Sequence, residues 1–215
     1  MKVLTVGCSF TFGEELRTPC KDAWPALLAK TNDWEVNNMG KGGSSNDRII
    51  RVVFDEIDNS YDLIIVAWTN PDRFEVTYKG QPHDVNISSN KFSWTKEYYA
   101  YHHDKFHSHQ KWIRNIVMLQ SFFKERNQRY LFCNMIGLEP VLNHHPTMLY
   151  DKFMHENSKL INCIDSKFYI DWPKFGLTDW MGDCPKGPNG HPLELGHQRI
   201  AERINEYIRN LGWIS

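Results

Sequence analysis

Leu63-Ile64-Ile65-Val66-Ala67-Trp68 is an unbroken apolar run, closed by Asp62 on one side and by Asn70-Pro71 on the other. A strand with one wet face alternates apolar and polar residues. A run that is apolar at every position is covered on both faces, which is the situation of a central parallel strand. Such a sheet needs helices on both sides, and the remaining periodicities supply them. Lys2 to Val6 reads as a first strand and Trp34 to Asn38 as a short second one. Tyr130 to Met135 reads as the fourth, and Phe168-Tyr169-Ile170 as a short fifth. Between them lie helical patterns. Asp22 is placed to cap one that runs through Trp24, Pro25, Leu27, Leu28 and Ala29. Ser45 or Asn46 caps another, with Ile49, Ile50, Val53, Phe54 and Ile57 on one side. A long helix spans roughly His107 to Arg126, a looser helical region about Thr147 to Asn162, and a last helix about Leu193 to Leu211. This alternation predicts one α/β domain over residues 1–215, a three-layer α/β/α flavodoxin-like doubly wound sheet of about five parallel strands. Residues from about 72 to 103 break the pattern and read as an insertion after strand three. In it, Phe74-Glu75-Val76-Thr77-Tyr78 opens a hairpin around Lys79-Gly80.

The chain has 25 basic and 26 acidic residues, a net charge of -1. That balance gives no electrostatic reason to expect nucleic acid or an anionic membrane as partner. No apolar run approaches the roughly 20 residues of a membrane span, and no signal-peptide pattern precedes the first strand. Five cysteines, an odd number with no CxxC pair, are read as reduced thiols, and the expected location is cytoplasmic. No Walker-type phosphate loop is present.

Chemistry concentrates in four short stretches, each at the expected end of an element. Gly7-Cys8-Ser9-Phe10 follows strand one, and Asn38-Met39-Gly40-Lys41-Gly42-Gly43 follows strand two. Trp68-Thr69-Asn70-Pro71 follows strand three, and Gly190-His191-Pro192 precedes the last helix. In a doubly wound sheet these share one rim, where ligands bind. A serine there can act as nucleophile if an imidazole takes its proton and donors hold the oxyanion. In order and placement these blocks resemble the SGNH (GDSL-like) hydrolase superfamily, over nearly the whole chain. The resemblance implies that Ser9 is the nucleophile and His191 the base. It implies that the N–H of Ser9, the N–H of Gly43 and the side-chain amide of Asn70 are the oxyanion donors. Within block two, Gly40 and Gly42 are alternatives to Gly43. No metal or other cofactor is implied. The implied activity is that of a serine esterase on a small-molecule or carbohydrate ester, such as an O-acetyl group on a carbohydrate. The alternative is a non-catalytic carbohydrate- or ligand-binding protein on the same fold.

The sequence departs from the family pattern at three places. Cys8 stands where the block-one aspartate is usual, and reads as a small buried filler. Trp68 and Pro71 flank Asn70 in place of glycine and aspartate. The acid that normally sits three residues before the histidine is Pro188. The imidazole then needs another orienting group: a backbone carbonyl, the Asn189 side chain, or Asp183 or Asp179 from the preceding loop. His102, His103, His107 and His109 are read as a solvated or rim-lining set rather than a metal site, and His144-His145-Pro146 as loop. His197 is expected to pack or cap in the last helix. Arg73 and Arg48 are read as surface ion-pair partners, with anion binding as the alternative. Trp94, Tyr98, Tyr99 and Tyr101 either cover the cleft or pack the insertion.

Overall fold

The computed structural model describes residues 1–137 and 150–214. His144 and His145, and the start of the helical region expected from Thr147, lie outside the described residues. The elements that frame the sheet and its insertion begin with β1 (Lys2–Val6), α1 (Ser9–Phe12), α2 (Trp24–Asn32), β2 (Glu35–Asn38), α3 (Asn46–Glu56), β3 (Leu63–Trp68), β4 (Phe74–Tyr78) and β5 (Gln81–Val85). They continue with α4 (Lys105–Glu125), β6 (Tyr130–Asn134), α5 (Tyr150–Glu156) and α6 (Glu194–Asn210). Four strands form one parallel sheet in the order β2-β1-β3-β6. The fifth strand expected at Phe168–Ile170 is reduced to one parallel bridge, Tyr169 to Phe132. A 3-10 turn at Ser166–Phe168 precedes it, and Asp171 at φ +53° turns the chain away directly after it.

β3 is buried at all its positions, as its composition requires. Its side chains alternate between two cores. Ile64, Val66 and Trp68 pack with Ile49 and Val53 of α3 and Trp112, Ile116 and Phe123 of α4. Leu63, Ile65 and Ala67 pack on the other face with Trp24 and Leu28 of α2 and Ile200, Ile204 and Ile208 of α6. These two layers over a parallel sheet make the three-layer architecture.

The helix boundaries show where local signals act. Ser45 is the cap of α3, its Oγ accepting from the Arg48 N–H at 3.2 Å. Asp104 caps α4 in the same way, from His107 N at 2.8 Å, so that helix begins earlier than the apolar stripe implied. Asp22 does not cap α2. It ends a separate short turn, Pro19–Asp22, and Ala23 occupies the cap.

β4 and β5 form the antiparallel hairpin expected around Lys79-Gly80. It is fastened to α3 by polar contacts. Arg51 makes a two-pronged ion pair with Glu75 (2.9 and 2.8 Å), and Asp84 accepts from both N and Oγ of Ser45 at 2.8 Å. The insertion is therefore held beside the carboxyl rim of the sheet.

Candidate active site

In a sheet of this order, the chain crosses to opposite sides after β1 and β3. The crevice outside their carboxyl ends is where such folds bind ligands. β1 and β3 are neighbours in register, Val6 beside Val66. Ser9 and Asn70 accordingly leave the sheet side by side. The loops on this rim are tied together by buried and half-buried polar side chains. Asn38 Nδ2 donates to Thr11 O at 2.9 Å, joining the loop after β2 to the loop after β1. Asn46 clamps the loop after β3, its Oδ1 accepting from Thr69 N at 2.9 Å and its Nδ2 donating to Thr69 O at 3.1 Å. Arg73 Nη1 adds bonds to Ser44 O and Thr69 Oγ1, and Arg48 Nη1 to Met39 O and Ser44 Oγ. Among the described residues neither arginine makes the surface ion pair expected of it, and these loop oxygens take its hydrogens instead.

Among the N–H groups on this rim, those of Ser9, Gly42, Gly43 and the Asn70 side chain have no partner among the described residues. Ser9 opens α1, so its N–H has no intrahelical acceptor. Gly43 stands at φ +73°, a conformation that suits glycine, and its N–H is likewise unbonded. Asn70 uses its Oδ1 to accept from Asp72 N at 2.8 Å, which leaves its amide Nδ2 without a partner. Gly40 is different, since its N–H donates to Asn38 Oδ1 at 3.0 Å. The Ser9 hydroxyl makes no hydrogen bond among the described residues. Ser9 is only 5% exposed. Cys8 beside it is buried, with its Sγ 3.2 Å from Met135 Sδ.

His191 comes from the far end of the chain. Its ring packs 5.5 Å from that of Phe10, the residue after Ser9. Its Nδ1 lies 2.8 Å from Glu15 Oε2, and its Nε2 has no partner among the described residues. A cleft of about 1160 Å³ runs outward from here. Its walls include Asn70, Asn189 and His191 from the sheet rim, Arg73 and Asn86 from the insertion, and Lys105 from the start of α4. Ser9 and Gly43 are not part of that lining. Tyr99 also faces the cleft and donates to Asp72 O at 2.8 Å, whereas Trp94 stacks on Phe92 within the insertion.

No family model matches this sequence, and no curated protein matches it either. Solved structures do match by fold. A psychrotrophic esterase, EstA, from Pseudoalteromonas sp. superimposes with a TM-score of 0.57 over 99% of both chains at 14% identity. A family two carbohydrate esterase from Clostridium thermocellum, solved with cellohexaose, gives 0.55 over 99% of this chain and 65% of its own, at 18% identity. A member of the lipolytic G-D-S-L family from Veillonella parvula gives 0.53 over 96% and 97%, at 12% identity. The fold is that of the SGNH hydrolases.

Within this SGNH fold, the groups named as orienting candidates for His191 bond elsewhere. Asp183 is 97% exposed and pairs with Arg199 at 3.3 Å. Asp179 accepts from Gly176 N at 2.8 Å. Asn189 is close by, but its side-chain amide donates to Glu15 Oε1 at 3.2 Å rather than meeting the ring. The group on Nδ1 is Glu15, which the block pattern does not mark. The histidines near the insertion are scattered in use. His103 meets Ser108 Oγ and Asp72, His107 pairs with Asp104, and His109 is buried with Nδ1 against Lys105 O at 2.8 Å. Among the described residues, no group of three or more His, Cys, Asp or Glu is placed to hold a metal ion. No described helix is long and apolar enough to cross a membrane.

Proposed function

We propose that this chain is a serine esterase of SGNH type that hydrolyses a small ester, an O-acetyl group on a carbohydrate being the substrate that fits best. The observation that carries the reading is the convergence of His191 on the segment of Ser9, with Phe10 against the imidazole at 5.5 Å and Nε2 left free. Ser9 Oγ attacks the ester carbonyl while Nε2 takes its proton. The tetrahedral oxyanion is held by Ser9 N–H, Gly43 N–H and Asn70 Nδ2, donors that have no partner among the described residues. The imidazolium then protonates the leaving alkoxide. Water, deprotonated by the same nitrogen, releases the acid from the acyl-serine. Ser9 Oγ and the ring are not hydrogen-bonded here. Catalytic hydrogen bonds of this kind are commonly long until substrate is bound.

The carbohydrate side of the reading is supported by the cleft. Its fixed charges balance, with Arg73, Lys105 and Lys152 set against Asp72, Asp104 and Glu156. Such a wall suits a neutral, hydroxyl-rich alcohol better than a lipid chain or a polyanion. Two of the similar structures are esterases, and one of them was solved with a bound cello-oligosaccharide.

A second reading, a non-catalytic carbohydrate-binding protein, is favoured by one observation: Ser9 is largely covered and lies outside the cleft's lining. Turnover of p-nitrophenyl acetate by the purified protein separates the two. A rate no higher than buffer supports binding alone.

Asn70→Ala is expected to lower kcat by about 100-fold with KM little changed, the loss that follows removal of one aimed oxyanion donor. Steady-state kinetics on an activated acetyl ester measures it. An equal fall in kcat/KM from a raised KM alone would assign Asn70 to ground-state binding instead.

A further inference from the structure

We infer that Glu15 is the positioning residue for His191 and takes the place of the acid that its own loop lacks. The inference rests on the reading of His191 as the base. The Glu15 carboxylate gathers N–H groups from the histidine loop. Asn189 N approaches Oε1 at 2.9 Å and Oε2 at 3.1 Å, and Asn189 Nδ2 approaches Oε1 at 3.2 Å. His191 N lies 3.2 Å from Oε2, and His191 Nδ1 lies 2.8 Å from the same oxygen. Only 12% of the Glu15 side chain is exposed. Burial pushes its acidity toward neutral, but the Asn189 N–H and the ring and backbone N–H of His191 outweigh that and hold the carboxyl below the usual range. It is therefore ionised at neutral pH. An ionised carboxylate can only accept, so Nδ1 carries the ring proton and Nε2 is the basic nitrogen. That is the tautomer a general base facing Ser9 needs.

The backbone on both sides is shaped for this contact. Gly13 at φ +88° ends the short helix that begins at Ser9, and its N–H closes on Ser9 O at 2.9 Å. Glu15 itself sits at φ +70°, a conformation that L residues rarely adopt and that has to be held by its surroundings. Across from it, a Cβ on Gly187 would lie 2.6–2.8 Å from the Glu15 carboxylate atoms, so glycine there leaves the space the carboxylate occupies. Gly187 N donates to His191 O and Gly190 N to Gly187 O, both at 2.9 Å, curling residues 187–191 around the carboxylate. One short segment thus carries both the proposed nucleophile and the anchor of the base. The usual spacing of acid and histidine within one loop is replaced by a contact between the two ends of the chain.

The test compares Glu15→Gln, Glu15→Asp and the control Asp183→Asn with wild type, alongside Ser9→Ala. Denaturation midpoints establish that each variant folds. Glu15→Gln is expected to lower kcat by roughly 100-fold or more with KM within a few-fold, since the ring loses its fixed tautomer. It should also move the acidic limb of the kcat/KM profile to lower pH, because the imidazolium loses an adjacent negative charge. The His191 ring signal, titrated by NMR, should move in the same direction without reference to turnover. Glu15→Asp keeps the charge and recovers part of kcat and most of the titration, and Asp183→Asn matches wild type. A Glu15→Gln protein with wild-type kcat and an unmoved His191 titration, while Ser9→Ala is dead, overturns the inference and leaves the esterase reading intact. Ser9→Ala turning over as fast as wild type overturns the esterase reading, and the NMR titration then decides by itself whether Glu15 governs the ring.

Discussion

Ser9→Ala is expected to lower turnover of p-nitrophenyl acetate by about 10³- to 10⁶-fold, the range seen when an activated serine is removed from a unit that works together. Of the hydroxyls on the neighbouring loops, three are committed to other partners. Ser44 Oγ is committed to Lys41 O and Ser45 Oγ to Asp84, each at 2.8 Å. Thr69 Oγ1 accepts from Arg73. The same substitution leaves stability within about 0.5 kcal/mol of wild type, because the Ser9 hydroxyl makes no hydrogen bond within the described residues and its loss opens no packed core. The two readouts together separate a chemical role from a structural one. A phosphonate ester supplies the covalent check. Intact mass rises by one adduct in wild type and stays unchanged in Ser9→Ala. Equal labelling of both proteins, or equal turnover, sinks the assignment of Ser9 as nucleophile and leaves the binding-protein reading in its place.

The architecture was legible because it is written in local, repeated signals. A strand apolar at every position demands cover on both faces, and the helical stripes that supply the cover recur at regular spacing. The short fifth strand was not legible. Phe168-Tyr169-Ile170 has the composition of a strand, but a positive φ at Asp171 ends the pairing after one bridge, and nothing in aspartate announces that. At the site, the proposed residues Ser9, Gly43 and Asn70 could be placed on the sheet rim, since each lies in a loop that follows a strand. The partner of His191 could not. Family spacing places the acid in the loop before the histidine, where Asp183 and Asp179 are the acids on offer, with the Asn189 side chain or a backbone carbonyl as the other orienting groups. Glu15 meets the ring only through tertiary folding of two glycine-punctuated loops. The available signal was the pair Glu14-Glu15 directly after Gly13, acidic residues close behind a proposed nucleophile. The role of His197 was hidden for the same reason, since it serves a helix from the opposite end of the chain.

His197 is expected to make the protein's stability fall with acid between about pH 6.5 and 4. Its ring is fully buried, and its Nδ1 accepts from Trp24 N at 3.2 Å, satisfying one of the orphan donors at the start of α2. An accepting Nδ1 means that the neutral ring carries its proton on Nε2. Burial, with a smaller contribution from the charge of nearby His191, pushes the His197 pKa down to about 4. In the unfolded chain the group titrates near 6.5. Below that pH the unfolded state binds a proton that the folded state refuses, so stability declines as pH falls, and the decline stops once the folded ring is protonated near 4. At about 1.36 kcal/mol for each pH unit of difference, the whole effect is about 3 kcal/mol, fully present above pH 6.5. Protonation also turns the helix cap into a second donor facing the Trp24 N–H, which adds a local reason for α2 to loosen. Urea unfolding at pH 7 and pH 5 measures it, with His197→Gln as the comparison because an amide can still accept from Trp24 N and does not titrate. Wild type should lose about 2 kcal/mol more than His197→Gln between those two pH values. Other carboxylates, Glu15 among them, lose stabilising contacts in acid equally in both proteins and cancel in the difference. A gap between wild type and His197→Gln that stays constant with pH removes His197 as the source of the acid sensitivity and places it on the carboxylates alone.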